Sequence, residues 1–155
     1  MNNVTTTHRL FFALWPPDKV RRSILETSSR LPGHIDGRDM RAHNLHITLH
    51  FIGQVDDQTK DCMHYAALSL DASSFNLDLD HYGRFPRPGI VWMGVRTIPI
   101  ELQQLHDELG RALEHCDYKS DERDFLPHVT LKRKCRHADV PQFGSKIPWH
   151  VNDFV

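Results

Sequence analysis

Two stretches of this chain have the residue types and spacing to do chemistry together: Leu45-His46-Ile47-Thr48-Leu49 and, far downstream, Pro127-His128-Val129-Thr130-Leu131. With 12 His in 155 residues, chance supplies roughly half an H-x-T, but only about a hundredth of an H-aliphatic-T-L. A second copy is therefore a signal. An imidazole can give or take a proton near neutrality, and a hydroxyl two positions away can donate to an anion, so the pair is suited to work at a phosphorus centre. Two such pairs facing one anion would supply a general base for water and a general acid for the leaving oxygen, each worth roughly 100- to 10,000-fold. The hydroxyls would meet the charge that develops on the non-bridging oxygens. The expected pH–rate profile is a bell.

The spacing fits strands. Leu45, Ile47, Leu49 and Phe51 alternate with His46, Thr48 and His50, so the apolar set should face a core and the polar set a cleft. Val129 and Leu131 repeat the arrangement around His128 and Thr130. Metal ligation is a weaker account of the histidines, because the chain has neither H-E-x-x-H nor C-x-x-C. No metal and no cofactor is called for.

On these residues the chain resembles the two-histidine (2H) phosphoesterases, specifically the LigT-type RNA 2′,3′-cyclic phosphodiesterases, also called 2′-5′ RNA ligases. The resemblance runs from Arg9-Leu10-Phe11-Phe12-Ala13-Leu14 through Asn44 to Gly53 and on to Phe125-Leu126-Pro127-His128-Val129-Thr130-Leu131-Lys132-Arg133. Gly83-Arg84-Phe85 and Gly89 to Val95 look like the family's middle hairpin. The resemblance implies that His46 is the proton donor to the ribose O3′, that His128 is the proton acceptor from water, and that Thr48 and Thr130 bind the phosphate. Arg133 matches a basic residue that contacts the phosphate in some members. Strict alternation puts it on the apolar face, so a twist or bulge must bring it to the site. The substrate implied is RNA ending in a 2′,3′-cyclic phosphate, tRNA fragments among the candidates, and the product a 2′-phosphate. Two rivals stand beside this: 2′-5′ ligation or 2′-5′ phosphodiester cleavage at the same site, and an RNA-end binding module with impaired catalysis.

The elements that must position these groups read as an α+β fold, a single domain over 1–155 with two pseudo-symmetric lobes. Each lobe is expected to be an antiparallel sheet with helices outside, the motifs facing a central cleft. Strands are expected at His8 to Leu14, at both motifs, at Ile90 to Val95 and at Trp149 to Val155. Phe75, Leu77 and Leu79 are expected to pair with Ile90 to Val95 across the turn at Pro86 to Gly89. Helices are expected after Pro16-Pro17-Asp18, over about Asp57 to Leu70, and over about Pro99 to His115, where Leu102, Leu105, Leu109 and Leu113 form a stripe. Gly53 should end the first motif strand.

A net charge of −1 argues against a protein that coats long nucleic acid by charge alone. Lys132, Arg133, Lys134 and Arg136, with Arg84 and Arg87, nevertheless supply local positive charge that could steer an RNA end. Phe12, Phe51 and Trp92 are candidates to stack a base. The apolar run Leu10 to Trp15 is too short for a signal core or a membrane span, so no membrane contact and a cytoplasmic location are expected. Cys62, Cys116 and Cys135 are odd in number and widely spaced, which argues against a disulfide. A monomer is expected; the resemblance implies that family members usually continue some twenty residues further, so a strand-swapped dimer is the alternative that a short C-terminus allows.

Overall fold

A computed structural model describes residues 4–136 and 139–155. Among the described residues, eight strands and three α-helices run in the order β1 (Thr7–Leu14), α1 (Asp18–Ser29), β2 (Arg38–Asp39), β3 (Ile47–Asp56), α2 (Asp57–Leu68), β4 (Phe75–Leu79), β5 (His81–Phe85), β6 (Ile90–Gly94), α3 (Ile100–Glu114), β7 (His128–Arg133) and β8 (Ile147–Val151). One antiparallel sheet has the order β1-β3-β7-β6-β5, with β2 also on β7, and β4 pairs with β8 in a second.

The helices start where side-chain chemistry permits. Pro17 precedes α1, whose first turn carries Asp18, as suits the positive end of a helix dipole. The Asp56 carboxylate caps α2 by accepting from the Thr59 N–H at 2.8 Å. In α3 the stripe Leu102, Leu105, Leu109 and Leu113 is fully buried, joined in the core by Ile47, Leu49, Val129 and Leu131. Helices α2 and α3 pack on the β1–β3 half, while α1 packs on β8.

The two halves of the main sheet join through one rung, Ile47 opposite Val129. β1 flanks β3 in one half, and β6, with β5 outside it, flanks β7 in the other. A local twofold axis through the central rung therefore relates one motif to the other.

Four expectations need correcting. β4 does not pair with β6: the hairpin is β5–β6, with His81 to Phe85 opposite Gly94 to Ile90, and β4 lies against β8. Gly53 does not end its strand. It sits at φ +90° within β3, where the register with β1 shifts, a backbone state in which glycine is favoured. Cys62 and Cys116 form a disulfide with Cα atoms 5.8 Å apart, because α2 lies along the C-terminal end of α3. Sequence spacing carries no information about that adjacency. Alternation also fails beyond the motifs: His50 is 4% exposed and Phe51 54%, the reverse of the expectation. At the C-terminus the Ala13 and Val155 backbones exchange two hydrogen bonds at 2.7 and 3.0 Å, which covers part of the outer edge of β1. Among the described residues no helix is long and apolar enough to cross a membrane.

Candidate active site

In an antiparallel pair the neighbours of opposed residues cross over, so the Ile47–Val129 rung sets His46 beside Thr130 and Thr48 beside His128. Ile47 and Val129 point into the core, each with no exposed surface. The four motif side chains then share the opposite face.

Both imidazoles are held in the same way. His46 Nδ1 lies 2.7 Å from the Asn44 carbonyl oxygen, and His128 Nδ1 lies 2.8 Å from that of Leu126. A carbonyl only accepts, so each Nδ1 carries a proton and donates it, leaving each Nε2 for chemistry. The Thr48 hydroxyl sits 3.1 Å from His46 Nε2, where it donates to the neutral ring. Aromatic rings fix the orientation. His46 lies 5.1 Å from Phe11 and 4.8 Å from Trp15, while His128 lies 5.1 Å from Phe85 and 5.8 Å from Trp92. Trp92 is opposite Thr130 in the ladder, so its side chain shares the motif face, and it packs there, buried, beside His128.

Burial pushes both catalytic candidates below the ordinary His value of 6.5. For His46 desolvation is the largest cause; its bond to Asn44 opposes the shift, and the charges of Arg133 and His128 add to it. His128 is lowered by desolvation against the bond to Leu126. An anion between the rings would raise both.

The sequence alone leaves out a bulge after each motif. Leu49 and His50 both lie opposite Phe12, since Ala13 pairs with Thr48 and Phe12 with His50. Leu131 and Lys132 likewise both lie opposite Val91, since Trp92 pairs with Thr130 and Val91 with Lys132. A bulge inserts one residue and resets the alternation. The residue five positions after each histidine is thereby turned to the face that carries the motif side chains: Phe51 in one half and Arg133 in the other. Arg133 is exposed and near enough to lower the pKa of His46.

A cleft of about 950 Å³ opens beside Thr48 and His128, lined also by Phe51, Phe85, Arg87, Arg123 and Phe125. One wall is a column of rings, with His50 stacked on His106 at 4.3 Å and His106 on Phe125 at 4.0 Å. His50 donates from Nε2 to the His106 carbonyl at 2.7 Å and accepts from the Tyr118 hydroxyl at 3.2 Å. Its burial belongs to this wall and not to proton transfer. Of the expected base-stacking aromatics, Phe51 lines the cleft. Phe12 packs against Phe154 at 6.4 Å, and Trp92 is buried beside His128. Phe11 in β1 and Trp15 just after it, which both pack on His46, lie two positions to either side of Ala13, so their spacing alone sets them on one face. Among the described residues no group of three or more His, Cys, Asp or Glu is gathered to hold a metal ion.

The family model of the 2′-5′ RNA ligase superfamily matches residues 16–153. The RNA 2′,3′-cyclic phosphodiesterase of Escherichia coli K12 is 32% identical over 149 residues, covering 95% of this chain and 84% of the relative. That of Archaeoglobus fulgidus is 29% identical over 142 residues, covering 89% and 80%. The crystal structure of E. coli LigT complexed with 3′-AMP superposes with a TM-score of 0.88 at 31% identity, over 96% of this chain and 86% of the other. The chain belongs to the 2′-5′ RNA ligase superfamily and, within it, to the LigT-type two-histidine phosphoesterases.

Proposed function

We propose that this protein is an RNA 2′,3′-cyclic phosphodiesterase that opens cyclic phosphate ends to 2′-phosphates. The observation that carries the reading is the crossed arrangement about the Ile47–Val129 rung, with both Nδ1 atoms committed to backbone carbonyls and both Nε2 atoms left for proton transfer. The cyclic phosphate lies over the rung, its non-bridging oxygens accepting from Thr48 and Thr130. Its negative charge raises the pKa of His46, which takes up a proton and holds it at Nε2. His128 Nε2 accepts a proton from water as the water oxygen bonds to phosphorus. The P–O3′ bond breaks, and His46 gives its proton to O3′. The product is a 2′-phosphate with a free 3′-hydroxyl, and the two histidines end with exchanged protonation states. No step calls for a metal.

The motifs are nearly symmetric in sequence, and the charge around them supports one assignment of roles. Arg133 lowers the pKa of His46, which makes its protonated form the stronger acid, as a proton donor needs. Arg133 also contacts the reacting phosphate. The substrates are short RNA ends, tRNA fragments among them, and the protein acts as a cytoplasmic monomer built as a single two-lobed domain.

The test is a short RNA with a 2′,3′-cyclic end, incubated with EDTA and resolved into 2′- and 3′-phosphate products. Wild type should make the 2′-phosphate, and His46→Ala and His128→Ala should each lose at least about 100-fold. A 3′-phosphate product, or turnover surviving either substitution, overturns the reading.

A further inference from the structure

The strand β2 is two residues long, yet it sets two rungs on β7: Arg38 opposite Arg133 and Asp39 opposite Lys132. Adjacent rungs face opposite sides of a sheet. The Asp39–Lys132 rung is an ion pair at 2.8 Å, and Lys132 faces α1, beside Leu25 and Ser28. The Arg38–Arg133 rung therefore faces the side of the sheet that carries the motif histidines, in agreement with the action of Arg133 on His46.

Like charges directly opposed across a ladder repel. The chain places an acid on the rung behind, and among the described residues no carboxylate forms an ion pair with Arg38 or Arg133. Gly37 makes the arrangement possible. It sits at φ +105°, and a Cβ there would come within 2.6 Å of the Arg133 carbonyl oxygen and 2.7 Å of Cys135 Sγ. Only a glycine brings Arg38 to this rung without displacing β7. Two opposed guanidinium groups without a counter-ion, on the face that carries the reacting groups, mark a place for a second anion.

We propose that Arg38 is a substrate-positioning residue that, beside Arg133, binds the phosphodiester on the 5′ side of the terminal nucleotide. This rests on the proposed function and adds a substrate preference to it. Arg133 serves the reacting phosphate. Arg38 stands about 4.8 Å from Arg133 across the ladder, on the edge of β7 that β3 also occupies, and so meets the next phosphate of an RNA chain. A nucleoside 2′,3′-cyclic phosphate with a free 5′-hydroxyl has no such group and cannot use Arg38. The protein therefore favours substrates of two or more nucleotides.

The test compares wild type, Arg38→Gln and Arg38→Lys on a nucleoside 2′,3′-cyclic phosphate and on a dinucleotide with the same cyclic end. Loss of one charge-assisted phosphate contact should lower kcat/KM of R38Q on the dinucleotide by about 10- to 100-fold, through KM and not kcat. The mononucleotide rate should stay within about twofold, and R38K should recover part of the loss. The salt slope of dinucleotide binding should fall by about 0.7. Melting of R38Q should be unchanged or raised, because a repulsion has been removed. Equal losses on both substrates, or loss on neither, would overturn the assignment. Wild-type turnover of the mononucleotide tests the parent reading by itself. Calorimetric binding of a dinucleotide 2′-phosphate product to wild type and R38Q reads Arg38 without any turnover, and equal affinities there would also overturn it.

Discussion

Gly83→Ala tests whether the aromatic support beside His128 matters. A Cβ at Gly83 would fall 2.1 Å from Trp92 Cζ2 and 2.4 Å from Cη2, against a normal contact of about 3.5–4.0 Å. The indole must therefore move by more than about 1 Å. It is buried and cannot swing into solvent. It is bounded by Phe85 at 5.4 Å and His81 at 5.4 Å, so it moves toward His128, 5.8 Å away. Overpacking of this kind costs about 1–3 kcal/mol. For a chain of this size that is a fall in Tm of roughly 3–10 °C. Displacing a catalytic ring by about 1 Å can cost up to about 100-fold in rate. The assay is thermal melting together with kcat and KM on a nucleoside 2′,3′-cyclic phosphate. Gly33→Ala serves as the control, since a Cβ there meets nothing within 4 Å. Combining G83A with Trp92→Leu should remove most of the stability penalty, which a double-mutant cycle would report as coupling. A G83A protein that melts with the control and keeps full activity would refute the idea that Trp92 holds His128.

Other expectations follow from the same geometry. Arg133→Gln removes a cause of the lowered His46 pKa, so the alkaline limb of kcat/KM against pH should move to higher pH even as the rate falls; an unmoved limb would count against the proximity of the two groups. His46, His50 and His128 all sit below 6.5 because burial disfavours their charge. The unfolded chain therefore binds more protons between those lowered values and 6.5, and stability should rise with pH through that window. His50→Gln should flatten this dependence in denaturant melts at several pH values, and an unchanged slope would refute it. The disulfide closes a separation of 54 residues, for which loop entropy gives at most about 4 kcal/mol. Reductant should lower the Tm of wild type and leave a Cys62→Ser/Cys116→Ser protein unaffected; coinciding melts would refute a stabilising role.

Much of this fold could be read from residue patterns. The leucine stripe of α3 is visible at its spacing, Pro16-Pro17-Asp18 marks the start of α1, and the turn at Pro86 to Gly89 returns β5 to β6. What could not be read depends on contacts between distant segments. Phe75, Leu77 and Leu79 announce a strand, but nothing in them says that their partners are Val151, Trp149 and Ile147. Cys62 and Cys116 meet only because two helices do. The stacking of His50, His106 and Phe125 likewise unites three elements.

The site shows how local such a failure can be. Period-two alternation correctly sends His46, Thr48, His128 and Thr130 to one face, then breaks one residue later in both halves, because a bulge follows each threonine. Carried past the bulge, alternation buries Phe51 and Arg133 and exposes His50. The structure does the opposite with Phe51 and His50 and turns Arg133 outward. A repeated bulge on a twofold rung makes the backbone symmetric while leaving the residues it presents free to differ. One half presents an apolar ring and the other a cation. On the proposed assignment of roles, that difference separates two almost identical motifs, because the guanidinium bears on His46 and not on His128. Exchanging the two residues, in a Phe51→Arg/Arg133→Phe protein, should therefore relieve His46 and depress His128. The acid would then be weaker and the base less basic, so a rate loss beyond that of Arg133→Phe alone is expected. Recovery of activity in the exchanged protein would mean that the cation serves only to bind phosphate and does not set which histidine gives the proton.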